Sequence, residues 1–374
     1  VDYLRIAEVD DDRFVFAAAE DGLASLTNLG PEARYLYDVS EPRAPVFHGA
    51  VSADRYGGFG FEADGPDRRF LLVARSGIGE AVEIRPHLVP TLRSTKNETD
   101  YLIIAASHLV DAAERIADHR RADGYRVMVV DVDEVFWAFA GGAPDPNALQ
   151  ELLAYAWRSW ASAPRFVMLV GKGSHDYRDI LGLGGNWVPP MLAATEDGLL
   201  PADGSLGDVQ GEDGIPEIAV GRLPLTDADQ IEQILEWVRD FEQGQLDEPW
   251  TSSLFVSDDG DGGAFSAATE LLSMAAAPGT QHRIDLSQES LDSAKGRLRT
   301  LWSQPTSLVA YVGHGGLDRL AEEGLLTNDE LAPLSGQPSR PIIVGWSCNL
   351  ARFDIPSFFP LGERLLTEGA SVAV

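Results

Sequence analysis

The sequence predicts an α/β protein with a mostly parallel sheet and helices on both faces, preceded by an all-β N-terminal domain. Residues 1–95 carry short apolar–polar alternations cut by Gly and Pro turns, as expected for strands. From Tyr101 onward, continuous apolar runs alternate with helical patterns, which is typical of parallel sheets with helical crossovers. A chain of 374 residues also exceeds one ordinary core. We therefore predict two domains, 1–95 and 96–374.

In the N-terminal domain, strands are predicted at residues 14–16 and 69–73, with turns at 57–58, 65–66 and 77. No helical period appears there. The stretch 86–91 and the polar residues that follow it predict a linker.

The second domain alternates strands with helices along its length. Asp145 suits an N-cap and Pro146 the first turn of a helix, while Gly124 is placed to end the helix before it. Residues 371–374 resemble the start of another strand, so we expect the natural protein to continue. The predicted strands are 101–105, 126–131, 166–171, 218–220, 254–257, 308–312 and 341–347, and the predicted helices are 109–122, 145–160, 226–243 and 264–277.

Composition excludes several classes of partner. A net charge of −30 and a pI near 4.4 argue against nucleic acid and anionic membranes, because phosphate binding needs clustered Lys and Arg. No apolar run approaches the ~20 residues of a membrane helix. The first residues carry neither an initiator Met nor a signal-peptide pattern, which predicts a mature or trimmed chain. One cysteine excludes intrachain disulfides.

That cysteine, Cys348, follows one apolar run, and His314 follows the apolar run before it. Sites in parallel sheets lie beyond the carboxyl ends of the strands, so both side chains are expected at one edge. An imidazole can take the proton of a thiol and later return it to a leaving amine. The N–H groups of Gly315 and Cys348 are natural donors to an oxyanion, and Trp346 and Ser347 would shape the pocket wall.

Each of these two signals also has a non-catalytic explanation. A single cysteine is more often a small buried hydrophobe than a nucleophile, and a Gly-His-Gly turn after a strand is common. The joint pattern of His and Cys at the ends of successive strands favours a cysteine peptidase.

Several motifs resemble the gingipain-type cysteine peptidases, which belong with caspases and legumains in one clan. They are Tyr-Val-Gly-His-Gly-Gly at 311–316, Trp-Ser-Cys-Asn at 346–349 and Phe-Asp at 353–354. The likeness extends to 101–131, to 169–171 with 174–177, and to 220–224, and it covers about residues 100–374. It implies a caspase-like sheet, with His314 as general base, Cys348 as nucleophile and Gly315 in the oxyanion hole.

The resemblance also implies a carboxylate that orients the imidazole. The strand 254–257 is followed by acidic residues, of which Asp259 is the first choice and Asp258 the next. A solvated acidic loop is the alternative. Asp261 is a candidate for an acidic S1 residue that would pair with a cationic substrate side chain.

Structural calcium is a further implication of the resemblance. A Gly-rich loop offers oxygen ligands for it, although a solvated loop is the alternative. The pair His175-Asp176 has no third zinc ligand at suitable spacing, so a loop-stabilising role is favoured. Lys172 stands where many relatives have an acidic residue. The predicted calcium ligands are Asp203, Asp208, Glu212 and Asp213.

We therefore predict a cysteine endopeptidase that cleaves protein or peptide substrates through an acyl-enzyme at Cys348 and needs no cofactor for its chemistry. The alternatives are a sortase-like transpeptidase of a bacterial secretion system and a non-catalytic adhesion or scaffold module. The β domain would serve as a support, a partner-binding module or a pro-region, and an activating protease is a candidate partner. The resemblance implies a secreted or cell-surface bacterial protein, with the cytoplasm as the alternative.

Overall fold

The computed structural model describes residues 7–8, 13–18, 23–41, 44–65, 68–78, 91–195, 198–211, 213–247, 252–276, 279–337 and 340–374. The chain divides into two compact units, Val1–Leu88 and Val89–Val374. The linker predicted at 86–91 lies outside the described residues except for Thr91. Leu92 is buried in the core of the second unit. The boundary predicted between residues 95 and 96 stays a prediction.

The first unit is all-β in its described part, as predicted. Its strands form two sheets, in the orders β1-β3-β6 and β2-β7-β4-β5, and all pairs but β1 with β3 are antiparallel. Phe16, Leu26 and Phe70 bury their side chains in one core drawn from both sheets. The strands are β1 Ala7–Glu8, β2 Arg13–Ala17, β3 Leu23–Thr27, β4 Arg34–Asp38, β5 Val46–Val51, β6 Phe59–Glu62 and β7 Arg69–Ala74.

The second unit begins with alternating strands and helices, which are β8 Tyr101–Ala105, α1 Val110–Ala122, β9 Val127–Asp131, α2 Val132–Ala140, α3 Pro146–Ser159, β10 Phe166–Val170, β11 Leu192–Thr195, β12 Gly198–Pro201, β13 Ala219–Leu223 and α4 Ala228–Asp247. It continues with β14 Ser252–Ser257, α5 Ala264–Ala275, β15 Thr280–Asp285, α6 Leu291–Trp302, β16 Leu308–Val312, β17 Arg319–Leu320, β18 Leu326–Thr327, β19 Ile342–Trp346 and α7 Leu361–Thr367.

Eight of these strands form two four-stranded parallel sheets. Sheet A has the order β13-β10-β8-β9, and sheet B has the order β15-β14-β16-β19. Helices pack against both: α1 against β8 and β9, and α5 against β14 and β16. Each sheet has its own buried apolar cluster. The predicted α/β class is confirmed, with the parallel strands divided between two sheets.

Local signals in the sequence set several helix ends. The Asp145 side chain accepts a hydrogen bond from the Asn147 N–H and caps α3, which begins at Pro146. Gly124, with φ of 93°, follows α1 in the left-handed conformation that glycine adopts at little cost. Helix α4 begins and ends later than the predicted 226–243.

Several elements of the second unit were not predicted from the sequence, among them β15, α2 and α6. Strand β15 is an edge strand in which only Ile284 is buried, so it lacks an apolar run. Helix α2 follows β9 without a loop, because Asp131 ends the strand and also caps the helix by accepting from the Asp133 N–H. Helix α6 was not predicted, although Ser290 caps it in the same way.

The last residues lie beside β19. The Ile343 N–H donates to the Ala373 carbonyl, and a parallel bridge joins Ile342 to Ala373. This pairing is the geometry expected of the strand predicted at 371–374. None of the described helices combines the length and apolar character needed to cross a bilayer.

Candidate functional site

His314 and Cys348 lie at the same edge of sheet B. Strands β16 and β19 are parallel neighbours in which Val312 pairs with Trp346. Each of the two reactive residues lies two positions beyond that pair, and both side chains are exposed. The structure therefore brings the predicted base and nucleophile to adjoining strand ends, at the edge where sites of parallel sheets form.

Two unpaired backbone donors lie at the same place. In the described part of the chain, neither the Gly315 N–H nor the Cys348 N–H donates a hydrogen bond. A Cβ at Gly315 would lie 2.6 Å from the Cys348 carbonyl oxygen and would overlap Ser347 Oγ. Glycine therefore allows the two backbone segments to touch. Donors left free in this way are what an oxyanion hole requires.

The main chain of His314 is held on both sides by buried side chains. Asp258, which is 2% exposed, accepts from the His314 N–H at 2.9 Å. The Tyr311 hydroxyl donates to the His314 carbonyl at 2.6 Å, accepts from the Ala321 N–H at 2.9 Å and lies 3.3 Å from Asp258 Oδ2. Burial, together with the Asp258 charge, raises the pKa of Tyr311, so this phenol stays protonated. Sequence reasoning missed Tyr311, although a tyrosine inside a buried strand signals a polar partner for its hydroxyl.

The imidazole of His314 lies against the loop that follows β14. Its ring meets the Phe265 ring edge-to-face, with centroids 5.1 Å apart, and a Cβ at Gly260 would lie 4.0 Å from Nε2. Within the described chain, no hydrogen bond joins the imidazole to Asp258, Asp259 or Cys348. The carboxylate of Asp259 lies instead within 4.8 Å of those of Asp258 and Glu323. The orienting role of Asp259 stays a prediction.

The residues predicted to meet substrate differ in their exposure. Trp346, at the end of β19, is 49% exposed, so its ring is available to a ligand beside Cys348. Ser347 Oγ is buried and has no hydrogen-bond partner in the described residues. Asp261 is exposed and has a φ of 41° in the loop beside Gly260. Their contacts with substrate stay predictions.

The predicted calcium ligands do not form one cluster in the part of the chain that the structure describes. Asp203 pairs through both carboxylate oxygens with Arg222, at 2.5 and 3.1 Å. Asp213 accepts from the Ile215 N–H. Asp208 Oδ1 fits better, because it is buried without a partner, while Glu212 lies outside the described residues. The calcium site stays a prediction.

The loop after β10 stabilises itself and contacts the segment that carries Cys348. Asp176 accepts from the Ile180 and Leu181 N–H groups, which lower its pKa, in agreement with the predicted loop-stabilising role. Lys172 is buried and donates to the Phe358 carbonyl and to Glu363, each at 2.8 Å. Lys172 and Glu363 of α7 therefore form a buried ion pair.

A lone exposed thiol beside an imidazole, at adjacent strand ends of a caspase-like α/β sheet, defines the class of cysteine peptidases. The chain belongs to peptidase family C25, the gingipain family, whose sequence profile matches residues 94–374. No curated protein matches the chain.

Several solved structures resemble it, among them the following two. A structure described only as a protease is 17% identical and has a TM-score of 0.56, over 73% of this chain and 57% of that one. Dimeric latent PorU from Porphyromonas gingivalis is 19% identical, with a TM-score of 0.45, over 60% of this chain and 24% of that one. This chain therefore spans little more than half of the first relative and about a quarter of the second. At this identity the first relative supports the fold alone.

Proposed function

We propose that the chain hydrolyses peptide bonds with Cys348 as nucleophile and His314 as general base and acid. One observation carries the proposal: an exposed thiol and an exposed imidazole follow two paired parallel strands, and the N–H groups of Gly315 and Cys348 donate no hydrogen bond among the described residues. A structural cysteine would be buried, and a scaffold would gain nothing from unpaired donors at this position.

In the proposed reaction, His314 takes the thiol proton and the Cys348 thiolate attacks the peptide carbonyl carbon. The oxygen of the tetrahedral intermediate then accepts hydrogen bonds from the two free N–H groups. The C–N bond breaks as His314 returns the proton to the leaving amine, which leaves a thioester on Cys348. A water molecule deprotonated by His314 hydrolyses the thioester and restores the thiol.

The substrate is a protein or peptide, and the 49% exposure of Trp346 supports a role for its ring in binding the residues beside the scissile bond. Peptidases of this family are typically extracellular, so we place the protein outside the cell or at its surface. Another protease would activate it if the β unit restrains the site.

The test is hydrolysis of a mixed fluorogenic peptide library, with labelling by a peptidyl acyloxymethyl ketone. Both are measured with and without calcium, and before and after limited proteolysis. We expect turnover and labelling in the wild type and neither in Cys348→Ala or His314→Ala. An added amine nucleophile would divert the acyl group if the enzyme were a transpeptidase. A folded wild type that neither turns over peptide nor is labelled in any condition would disprove the proposal.

Tyr311→Phe is expected to lower kcat and to leave KM unchanged. The variant removes the hydroxyl that holds the His314 carbonyl and the Ala321 N–H. Because these two groups also bond each other, the loss of stability is expected to be about 0.5–1.5 kcal/mol. Steady-state kinetics and urea unfolding measure the two effects. Tyr155→Phe is the control, since its hydroxyl donates to the Arg93 carbonyl elsewhere in the unit. An unchanged kcat in Tyr311→Phe would contradict the positioning role.

A further inference from the structure

The segment that follows Cys348 contains an arginine–carboxylate pair whose carboxylate is buried. The side chain of Asp354 is 0% exposed and accepts from Arg352 Nε at 3.1 Å and from Arg352 Nη2 at 2.9 Å. This bidentate geometry is the strong form of the pair, and hydrogen bonding to Asp354 raises the pKa of Arg352. An ion pair fixed in this way holds the main chain of residues 352–354 in one conformation.

Asp354 also ties this segment to the loops of sheet A. The His175 N–H donates to the Asp354 carbonyl at 3.0 Å, and His175 Nδ1 lies 3.3 Å from Asp354 Oδ2. Arg352 Nη2 donates in addition to the Leu199 carbonyl of β12, at 3.3 Å. We call Asp354, Arg352 and His175 the Asp354 anchor. Residues that follow β10 of sheet A thus hold the segment that follows β19 of sheet B.

The residue next to the nucleophile needs such support. Asn349 has a φ of 58°, in the left-handed region, and the Arg352 N–H closes the turn onto the Asn349 carbonyl at 3.4 Å. Asparagine tolerates this region better than most residues, but the conformation still persists only where the surroundings impose it. Arg352, whose N–H closes this turn, belongs to the Asp354 anchor. It is therefore placed to fix the direction of the Cys348 thiol and N–H.

We propose that Asp354 is a positioning residue of the peptidase reaction, which fixes the turn after Cys348 through Arg352 and His175. The proposal rests on the proposed function, because it gives Asp354 a task in the chemistry at Cys348. Asp354 is buried and is bonded to Arg352 and His175. It therefore acts on Cys348 through the main chain of residues 349–354. A displaced nucleophile costs rate because attack needs a near-ideal geometry.

Asp354→Asn is the central variant, since it keeps the shape and removes the charge that pairs with Arg352. We expect kcat to fall roughly 10- to 100-fold while KM changes little, because the substrate contacts remain. The matched control is Asp100→Asn. Asp100 makes the same bidentate contact with Arg126, at 2.9 and 2.6 Å, but at the amino end of sheet A. We expect its kcat to equal that of the wild type.

Amide hydrogen exchange of peptides that cover residues 347–353 provides a readout independent of the chemistry. We expect faster exchange in Asp354→Asn than in the wild type, and no change in Asp100→Asn. If Asp354→Asn does not fold, Arg352→Lys keeps the charge but loses the fork that binds both carboxylate oxygens.

Slower turnover together with faster exchange would support the anchor. Either change without the other would overturn the positioning role, as would a control variant that behaves like Asp354→Asn. A wild type that is folded but neither labelled nor active would count against the proposed function alone, and the exchange comparison would then decide whether Asp354 fixes the turn.

Discussion

Gly315→Ala is expected to lower kcat by roughly 10²- to 10³-fold, the usual effect of losing an oxyanion-hole donor. The added Cβ would lie 2.6 Å from the Cys348 carbonyl oxygen and would overlap Ser347 Oγ. Both neighbours belong to the short segment that carries the nucleophile, so relief of the overlap must separate the Gly315 and Cys348 N–H groups. Steady-state hydrolysis of the best fluorogenic peptide measures the loss.

Gly316→Ala is the matched control one residue further on. Its Cβ would meet mainly the Arg319 side chain, with Cγ at 3.2 Å, and that flexible side chain can move aside. We expect its kcat to stay close to the wild-type value. Cys348 of Gly315→Ala should still react with iodoacetamide, which separates a lost oxyanion hole from a lost thiol. Wild-type turnover in Gly315→Ala would remove Gly315 from the proposed mechanism.

Lys172→Met is expected to lower the free energy of unfolding by about 3–5 kcal/mol, since it leaves a buried carboxylate without its partner. Lys172 and Glu363 are 5% and 4% exposed, and Lys172 Nζ also lies 4.1 Å from the centre of the Phe359 ring. Burial raises the pKa of Glu363 above 4.5, against the opposing effect of Lys172. Urea unfolding at pH 7 measures the change.

The raised pKa of Glu363 predicts how the stability lost in Lys172→Met depends on pH. A carboxyl group with a raised pKa binds its proton more tightly in the folded state, so stability is lost as the pH rises from 4.5 through the folded-state pKa. Without Lys172, no side chain among the described residues pairs with the buried Glu363 carboxylate. The defect should therefore be smaller below pH 4.5 than at pH 7, and a defect that grows on acidification would contradict this account.

Two further variants identify the cause of the Lys172→Met defect. In Lys172→Met with Glu363→Leu, no buried charge remains unpaired, so we expect much of the lost stability to return. Lys295→Met tests a partly exposed pair, in which Glu330 keeps Arg299 as a partner, and should cost at most about 1 kcal/mol. Equal losses in Lys172→Met and Lys295→Met would show that burial is not the cause.

The strand pattern of the second unit was readable because its central strands are buried. Apolar runs such as Tyr101–Ala105 and Leu308–Val312 have nearly every residue in a core, so composition alone predicts them. Strand β15 was missed because an edge strand exposes most of its side chains. The division into two sheets was also not predicted, because an apolar run does not specify which strands become its neighbours.

The same limit applied at the site. The resemblance implied a carboxylate beside His314, with Asp259 as first choice and Asp258 as the next. The structure shows a contact between Asp258 and the His314 backbone, and the orienting role of Asp259 stays a prediction. The sequence pattern grouped Asp203 with other acids, although a buried arginine, Arg222, is its partner. The partner of each acidic side chain depends on which segments pack together. The residues next to it in the sequence carry little information on this packing.

The sequence by itself determined the α/β class, the β-rich first unit, and the placement of His314 and Cys348 at one sheet edge. Hydrophobic periodicity and the shared direction of parallel strands are local properties, and they suffice for these conclusions. Only the tertiary structure decided the Lys172–Glu363 pair, the Asp354 anchor and the hydrogen bond from Tyr311 to the His314 carbonyl. Each joins side chains to groups from other segments of the fold, and the burial that gives these contacts their strength exists only once the chain has folded.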